Sequence, residues 1–201
     1  MAESKSTRLE SIVLAAGAGR RFGGRKLLAS FEGRPLIVSA LDAAFAAPVG
    51  KVWLTTDGDP ELTTVAHDHA RTLGREDDLA VVFVKDAAEG MGASLRTAVA
   101  ALPAETAAAF VFLGDMPRIP AGLAQSLVDA LAAGFDLVAP RFGGQRGHPV
   151  LFGRVCFPAL LGLKGDAGAR DLLSRAGERL ALVDSPDAGV LFDVDRPVDL
   201  A

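Results

Sequence analysis

Two sets of side chains in this chain are typed and spaced for chemistry. Between Ser11 and Phe31 lie four cations, Arg20, Arg21, Arg25 and Lys26, and no carboxylate, although the 201 residues together carry 21 Lys and Arg against 25 Asp and Glu. Glycines 17, 19, 23 and 24 are interspersed with them, directly after the apolar run Ser11–Ala15. Glycines let backbone N–H groups turn onto an anion while the cations neutralise it, so the fitting guest is a polyphosphate. The second set is acidic. Asp115 follows the apolar run Ala107–Leu113, and Pro117 close behind stops further strand pairing. Asp193, Asp195 and Asp199 follow a later apolar run, Ala188–Phe192. Because side chains alternate across a strand, only one of Asp193 and Asp195 readily faces the same crevice as Asp115. Carboxylates from two strand ends meeting one cationic loop suit Mg²⁺, which binds through one or two carboxylates plus substrate phosphates. The competing reading makes Asp115 or Asp195 a helix cap.

Two commoner phosphate loops do not fit. A Walker loop needs Gly-Lys followed by Ser or Thr, whereas Lys26 stands between Arg25 and Leu27. A dinucleotide fingerprint fits Gly17 and Gly19 but meets Phe22 where a small residue is needed. Its ribose-binding acid could at most be Asp42, inside an expected helix, so a nicotinamide-dependent oxidoreductase is disfavoured.

The elements that must carry these residues read as an alternation. Apolar runs short enough for buried strands are Ser11–Ala15, Val49–Leu54, Leu79–Val84, Ala107–Leu113, Asp136–Ala139 and Ala188–Phe192. Helical spacing occupies Pro35–Ala46, Pro60–Leu73, Ala93–Leu102, Ala121–Ala133 and Ala169–Ala176. Strands apolar on both faces, alternating with helices, predict an α/β fold: a single-domain three-layer α/β/α sandwich on a mostly parallel, Rossmann-like sheet. Ligands then gather beyond the carboxyl ends of the strands. Gly143-Gly144 predicts a small β-hairpin excursion over the sheet edge within Phe142–Phe152. One domain spanning 1–201 is expected, with residues 8–140 on the nucleotide side and 141–201 on the acceptor side. A single cysteine, Cys156, allows no intrachain disulfide, and Met1–Arg8 is too polar for a secretory signal, so a cytoplasmic location is expected. A net charge of −4 and the lack of a spanning apolar run argue against nucleic-acid and membrane roles.

Further residues carry weaker signals. Gly90-Met-Gly92-Ala-Ser94 forms either an anion- or ribose-friendly helix entrance or a plain turn with Ser94 as cap. His148, beside a glycine turn, is an acceptor-phosphate contact, an acid, or a structural histidine at a strand start. Arg146 lies in the same turn. Lys164 and Arg170 bind a terminal phosphate or are solvated charge. Cys156 and Trp53 read as core; His67 and His69, two apart on a helix, face different ways, and no His/Cys cluster is spaced for zinc.

The first loop resembles that of the glycosyltransferase-A-like nucleotidyltransferases. Their Leu-Ala-Ala-Gly-x-Gly-x-Arg-Phe-Gly signature reads here Leu14-Ala15-Ala16-Gly17-Ala18-Gly19-Arg20-Arg21-Phe22-Gly23, with Lys26 after it. Gly114-Asp115-Met116-Pro117 matches their Gly-Asp-x-Pro, and Asp193, Asp195, Pro197 and Asp199 match a late Asp-x-Asp-x-Pro-x-Asp. The blocks Gly90–Leu95, Gly144–Phe152 and Lys164–Leu173 are similar to the MobA-like branch that acts on molybdenum cofactor. The resemblance implies that Arg21 and Lys26 hold a triphosphate, that the Leu14–Gly17 backbone, Gly19, Gly90, Gly92 and Ser94 line the nucleotide, and that Asp115 with Asp195 or Asp193 holds Mg²⁺. It further implies transfer of CMP from CTP to the terminal phosphate of molybdopterin or molybdenum cofactor, with His148, Arg146 and Lys164 on the acceptor side and a molybdenum hydroxylase as client. The alternatives are a guanylyltransferase using GTP, a sugar- or polyol-phosphate nucleotidyltransferase of the same fold, and a non-catalytic cofactor chaperone.

Overall fold

The computed structural model describes residues 8–17, 22, 25–165 and 168–200. The chain runs β1 (Leu9–Leu14), β2 (Ser30–Phe31), β3 (Arg34–Pro35), α1 (Leu36–Ala46), β4 (Val52–Thr56), α2 (Pro60–Thr72), β5 (Leu79–Phe83), α3 (Met91–Ala101), β6 (Ala108–Leu113), α4 (Leu123–Ala132), β7 (Leu137–Phe142), β8 (Gln145–Arg146), β9 (Val150–Gly153), α5 (Phe157–Leu161), α6 (Arg170–Arg175) and β10 (Leu180–Asp184). The main sheet has the order β10-β7-β9-β6-β1-β4-β5, with β8 paired to β7. Pairs β10/β7, β6/β1, β1/β4 and β4/β5 are parallel, whereas β9 is antiparallel to both β6 and β7. This is the three-layer α/β architecture read from the sequence.

Strand alternation sorts the core into two layers. Val13, Phe110 and Phe112 point to the layer built by Ile37, Ala40 and Leu41 of α1, Leu62 and Ala66 of α2, and Leu127 of α4. Ile12, Leu14, Ala109 and Val111 point the other way, onto Leu95 and Ala98 of α3, Leu160 of α5 and Leu173 of α6. Both layers are dry, with Ile12, Phe110, Leu41 and Leu127 fully buried, and each such side chain contributes about 1.5–3 kcal/mol of burial.

Three departures from the sequence reading bear on the site. Residues expected to form a strand at Ala188–Phe192 form a 3-10 turn, Ala188–Leu191, because the Asp187 side chain accepts from Gly189 N at 2.7 Å and caps it. Asp193 and Asp195 therefore follow a turn, not a strand end. The Gly143-Gly144 hairpin does form, with φ of 55° and 82° at its glycines, but it does not lie over the edge: β9 is inserted between β7 and β6 in the middle of the sheet. The edge strand on that side is β10, whose short, half-exposed Leu180–Asp184 run was not recognised as a strand. Among the described residues, no helix is long and apolar enough to cross a membrane.

Candidate active site

The cationic loop leaves the carboxyl end of β1 at the centre of the sheet. Its first turn is held by Thr55 at the end of β4, whose Oγ1 accepts from Ala15 N at 3.0 Å and from Ala16 N at 3.4 Å. From the opposite side Ser94 Oγ donates to Ala16 O at 3.1 Å. Ser94 is not the cap of α3; Gly90, at φ 113°, takes that position, and Ser94 is buried one turn further in. Gly17 has open space around it. Gly19 and Arg21 lie outside the described residues. The loop returns at Arg25, which adopts a left-handed backbone (φ 50°) and pairs with Asp59, the cap of α2, and with Glu61. Lys26 opens the 3-10 turn that follows, Lys26–Leu28.

Asp115 arrives from the neighbouring strand. β1 and β6 run in register, Leu14 beside Leu113, and Gly114 N continues the pairing to Leu14 O at 3.0 Å. A Cβ at position 114 would lie 2.9 Å from Ile37 Cδ1 and 3.1 Å from Leu14 O, so a side chain there would displace the Ile37 tip and crowd the Leu14 carbonyl. Asp115 O then accepts from Val194 N at 3.0 Å. That bond draws the Asp193–Asp195 segment against the end of β6. The same segment is held further back, where Gly189 packs on the Arg118 carbonyl and His148 N donates to Val190 O at 2.9 Å. Asp199 is spent locally: its carboxylate accepts from Asp195 N and Arg196 N at 3.1 and 2.8 Å.

The result is a cation among acids. Lys26 Nζ lies 2.8 Å from Asp115 Oδ2 and 3.4 Å from Asp195 Oδ1. Partial burial disfavours the ammonium, yet Asp115 and Asp195 outweigh it and hold the Lys26 pKa above its ordinary value. Among the described residues Asp193 has no such ion pair. Burial first, then the charges of Asp195 and Asp115, push its carboxyl up from the ordinary range. Among the described residues no three metal-ligating side chains are already gathered around one point. The donors are nonetheless of the right kind for a hard divalent cation, since oxygen ligands from one or two carboxylates leave the remaining positions to phosphates. Among the described residues, Asp115, Asp193 and Asp195 stand against the single ammonium of Lys26, a set of oxygen donors that would suit a divalent cation.

Beside the acids opens a pocket of about 530 Å³ lined by Phe192, Asp193, Asp195, Arg196 and Asp199. Arg118, which follows the Gly-Asp-x-Pro segment, lays its guanidinium over the Phe192 ring at 4.4 Å and over Phe31 at 5.5 Å. His148 lies just before β9, and among the described residues its buried Nδ1 has no hydrogen-bond partner. Burial lowers its pKa, against the Val111 carbonyl and Asp115, which favour the protonated ring. Arg146 is exposed on β8. Lys164 is exposed too, but its segment lies over the second glycine turn: a Cβ on Gly92 would be 2.6 Å from Gly165 O and 3.5 Å from Lys164 O. Arg96 ties that segment down by donating to Leu163 O at 2.7 Å. Thr55, Arg118 and the Arg25–Asp59 pair were missed from sequence. The visible signals were Thr55-Thr56 ending an apolar strand, and a cation three residues after Asp115.

A mostly parallel sheet with Asp115 at the end of β6, and with Lys26 and Asp195 brought to it from neighbouring turns, is an arrangement suited to phosphate-bearing ligands. Residues 11–180 match the MobA-like NTP transferase domain, and the chain belongs to that family. It is 30% identical over 198 residues to the purine catabolism protein PucB of Bacillus subtilis (strain 168), covering 96% of this chain and 94% of that one. Among solved structures it is similar to Rv0371c from Mycobacterium tuberculosis H37Rv, with a TM-score of 0.78, 28% identity and 96% of both chains covered. A second structure of Rv0371c, in complex with manganese, matches with a TM-score of 0.69 and 25% identity over 89% of each chain.

Proposed function

We propose that this protein transfers CMP from CTP to the terminal phosphate of molybdopterin or molybdenum cofactor, releasing pyrophosphate. The observation that supports the transfer reaction is the meeting of Lys26 with Asp195 and with Asp115 at the end of β6. The choice of CTP and of a pterin acceptor is supported by the Gly90–Leu95, Gly144–Phe152 and Lys164–Leu173 blocks, which resemble the molybdenum cofactor branch of the family.

In this reading the backbone of Leu14–Gly17 and Gly19 faces the nucleotide, with Thr55 and Ser94 fixing the first turn and Gly90 and Gly92 forming the opposite wall. Arg21 and Lys26 bind the triphosphate. A terminal phosphate oxygen of the acceptor attacks the α-phosphorus; a P–O bond forms, the bond to the β-phosphate bridging oxygen breaks, and pyrophosphate leaves with that electron pair. No covalent intermediate on the protein is required, because positioning and charge neutralisation supply the catalysis. Mg²⁺, held by Asp115 with Asp195 or Asp193, neutralises phosphate charge when bound. Lys26 and Arg21 offset the charge that develops on the departing pyrophosphate. His148, whose buried Nδ1 has no hydrogen-bond partner among the described residues, is assigned to the acceptor side together with Arg146 and Lys164. Residues 8–140 form the nucleotide side and 141–201 the acceptor side. A molybdenum hydroxylase in the cytoplasm is the proposed recipient of the product.

The test is pyrophosphate release by the purified protein given Mg²⁺, molybdenum cofactor and either CTP or GTP. Release with CTP that is lost in Asp115→Ala supports the reading. Release with GTP alone moves the protein to guanylyl transfer.

A further inference from the structure

Lys26 and a divalent cation compete for the same oxygens. Lys26 Nζ lies 2.8 Å from Asp115 Oδ2 and 3.4 Å from Asp195 Oδ1, and the Lys26 side chain is only 12% exposed. Its neighbour Arg25 points elsewhere, paired to Asp59 and Glu61 at the start of α2. Of these two adjacent cations, only Lys26 is turned toward the acids.

We propose that Lys26 is the resident counter-ion of the metal seat: in the nucleotide-free protein it excludes divalent cations from Asp115 and Asp195. The inference rests on the reading of this site as a metal–triphosphate site. Three observations support it. An ion bound at about 2.0–2.5 Å from Asp115 Oδ2 would lie no more than about 5 Å from the ammonium that is now 2.8 Å from the same oxygen, and like charges at that range repel. Among the described residues, Asp115, Asp193 and Asp195 set three carboxylates against one ammonium, so these acids still favour a cation once Lys26 is displaced. Finally, Lys26 has somewhere to go. Its long unbranched stem rises from a single 3-10 turn at the end of the glycine loop, where a polyphosphate would present several negative oxygens. Metal entry is then coupled to nucleotide entry: phosphate draws the ammonium away and the carboxylates are freed together.

The experiment is a titration of Mn²⁺ into nucleotide-free protein, followed by the loss of its free-ion paramagnetic resonance signal. Wild type is compared with Lys26→Met, Lys26→Gln and the double variant Lys26→Met/Asp115→Asn, each checked for folding by circular dichroism. Both Lys26 variants should bind Mn²⁺ roughly tenfold or more tightly than wild type. The double variant should lose that gain. Equal or weaker binding by the folded Lys26 variants would overturn the proposal, as would a gain that survives Asp115→Asn. A second arm adds α,β-methylene CTP, which should tighten Mn²⁺ binding by wild type. Variants that gain affinity while wild type ignores the analogue would count against the nucleotide reading and leave the competition at Lys26 standing.

Discussion

Lys26 is the side chain on which most of the proposed chemistry converges, and its removal should show in rate more than in stability. Loss of one preorganised donor of this kind lowers turnover on the order of 10²–10³-fold, so Lys26→Ala should do so in a steady-state pyrophosphate assay. His148 makes a different prediction. Because burial lowers its pKa in the folded protein, the unfolded chain takes up the proton first. Stability should therefore fall as pH drops below about 6.5, the ordinary histidine value, and level off below the depressed folded value. His148→Asn should flatten that limb in denaturant melts across pH, and should raise the KM for the acceptor while leaving that for the nucleotide unchanged. An unaltered acid limb in the variant would remove His148 as its source. The Cys156 thiol, buried and pushed up to about 11, should resist a thiol reagent at neutral pH until the protein unfolds.

The elements act on the site through glycines that no side chain can replace. At position 147 a Cβ would lie 2.2 Å from Val190 O, and at 189 it would lie 1.8 Å from Arg118 O. Those two contacts seat the segment that carries Asp193 and Asp195. Gly147→Ala and Gly189→Ala should each cost about 1–3 kcal/mol of stability through forced backbone shifts, and both should lower activity with the fold retained. Gly143→Ala, in open space at the hairpin tip, should pay only the smaller cost of its left-handed backbone. This dependence also explains what sequence could reveal. The strands β1, β4, β6 and β7, and the half-buried edge strand β5, were legible because each is an apolar run bounded by turn residues, and Asp115 was legible because it follows one of them. The turn at Ala188–Leu191 was not, since its apolar residues mimic a strand and the distinguishing contact, Gly189 on Arg118, joins residues far apart in sequence. The insertion of β9 into the middle of the sheet was hidden for the same reason: its partners are chosen by tertiary packing. The sequence groups the cationic loop with Asp115 and with Asp195 or Asp193 because each follows an apolar run, and the motif resemblance points the same way. Their direct ion pairing needed the fold.

On the scale of the whole molecule, the two ends of the sheet serve different ends. The carboxyl end carries the site. At the amino end, Glu10 is fully buried on β1 and accepts from Lys51 N at 2.8 Å and Trp53 Nε1 at 3.0 Å, with Arg8 alongside. Along β1 that cluster lies roughly 15 Å from the site, at about 3.3 Å per residue. Glu10→Ala would strand those donors and should cost about 1–3 kcal/mol of stability, read as a lower denaturant midpoint. Turnover of the folded variant should match wild type; a large loss of turnover in the folded state would show that the two ends are coupled.

The most direct test of nucleotidyl transfer at this site is pyrophosphate release from CTP in the presence of Mg²⁺ and molybdenum cofactor, run side by side for wild type and Asp115→Asn. The proposed function predicts release by wild type that depends on the cofactor and is abolished, or nearly so, in the variant, with the variant's melting transition intact. Equal release by both proteins would contradict the role given to Asp115. No release from wild type with any nucleotide or phosphate acceptor would contradict the transfer reaction itself.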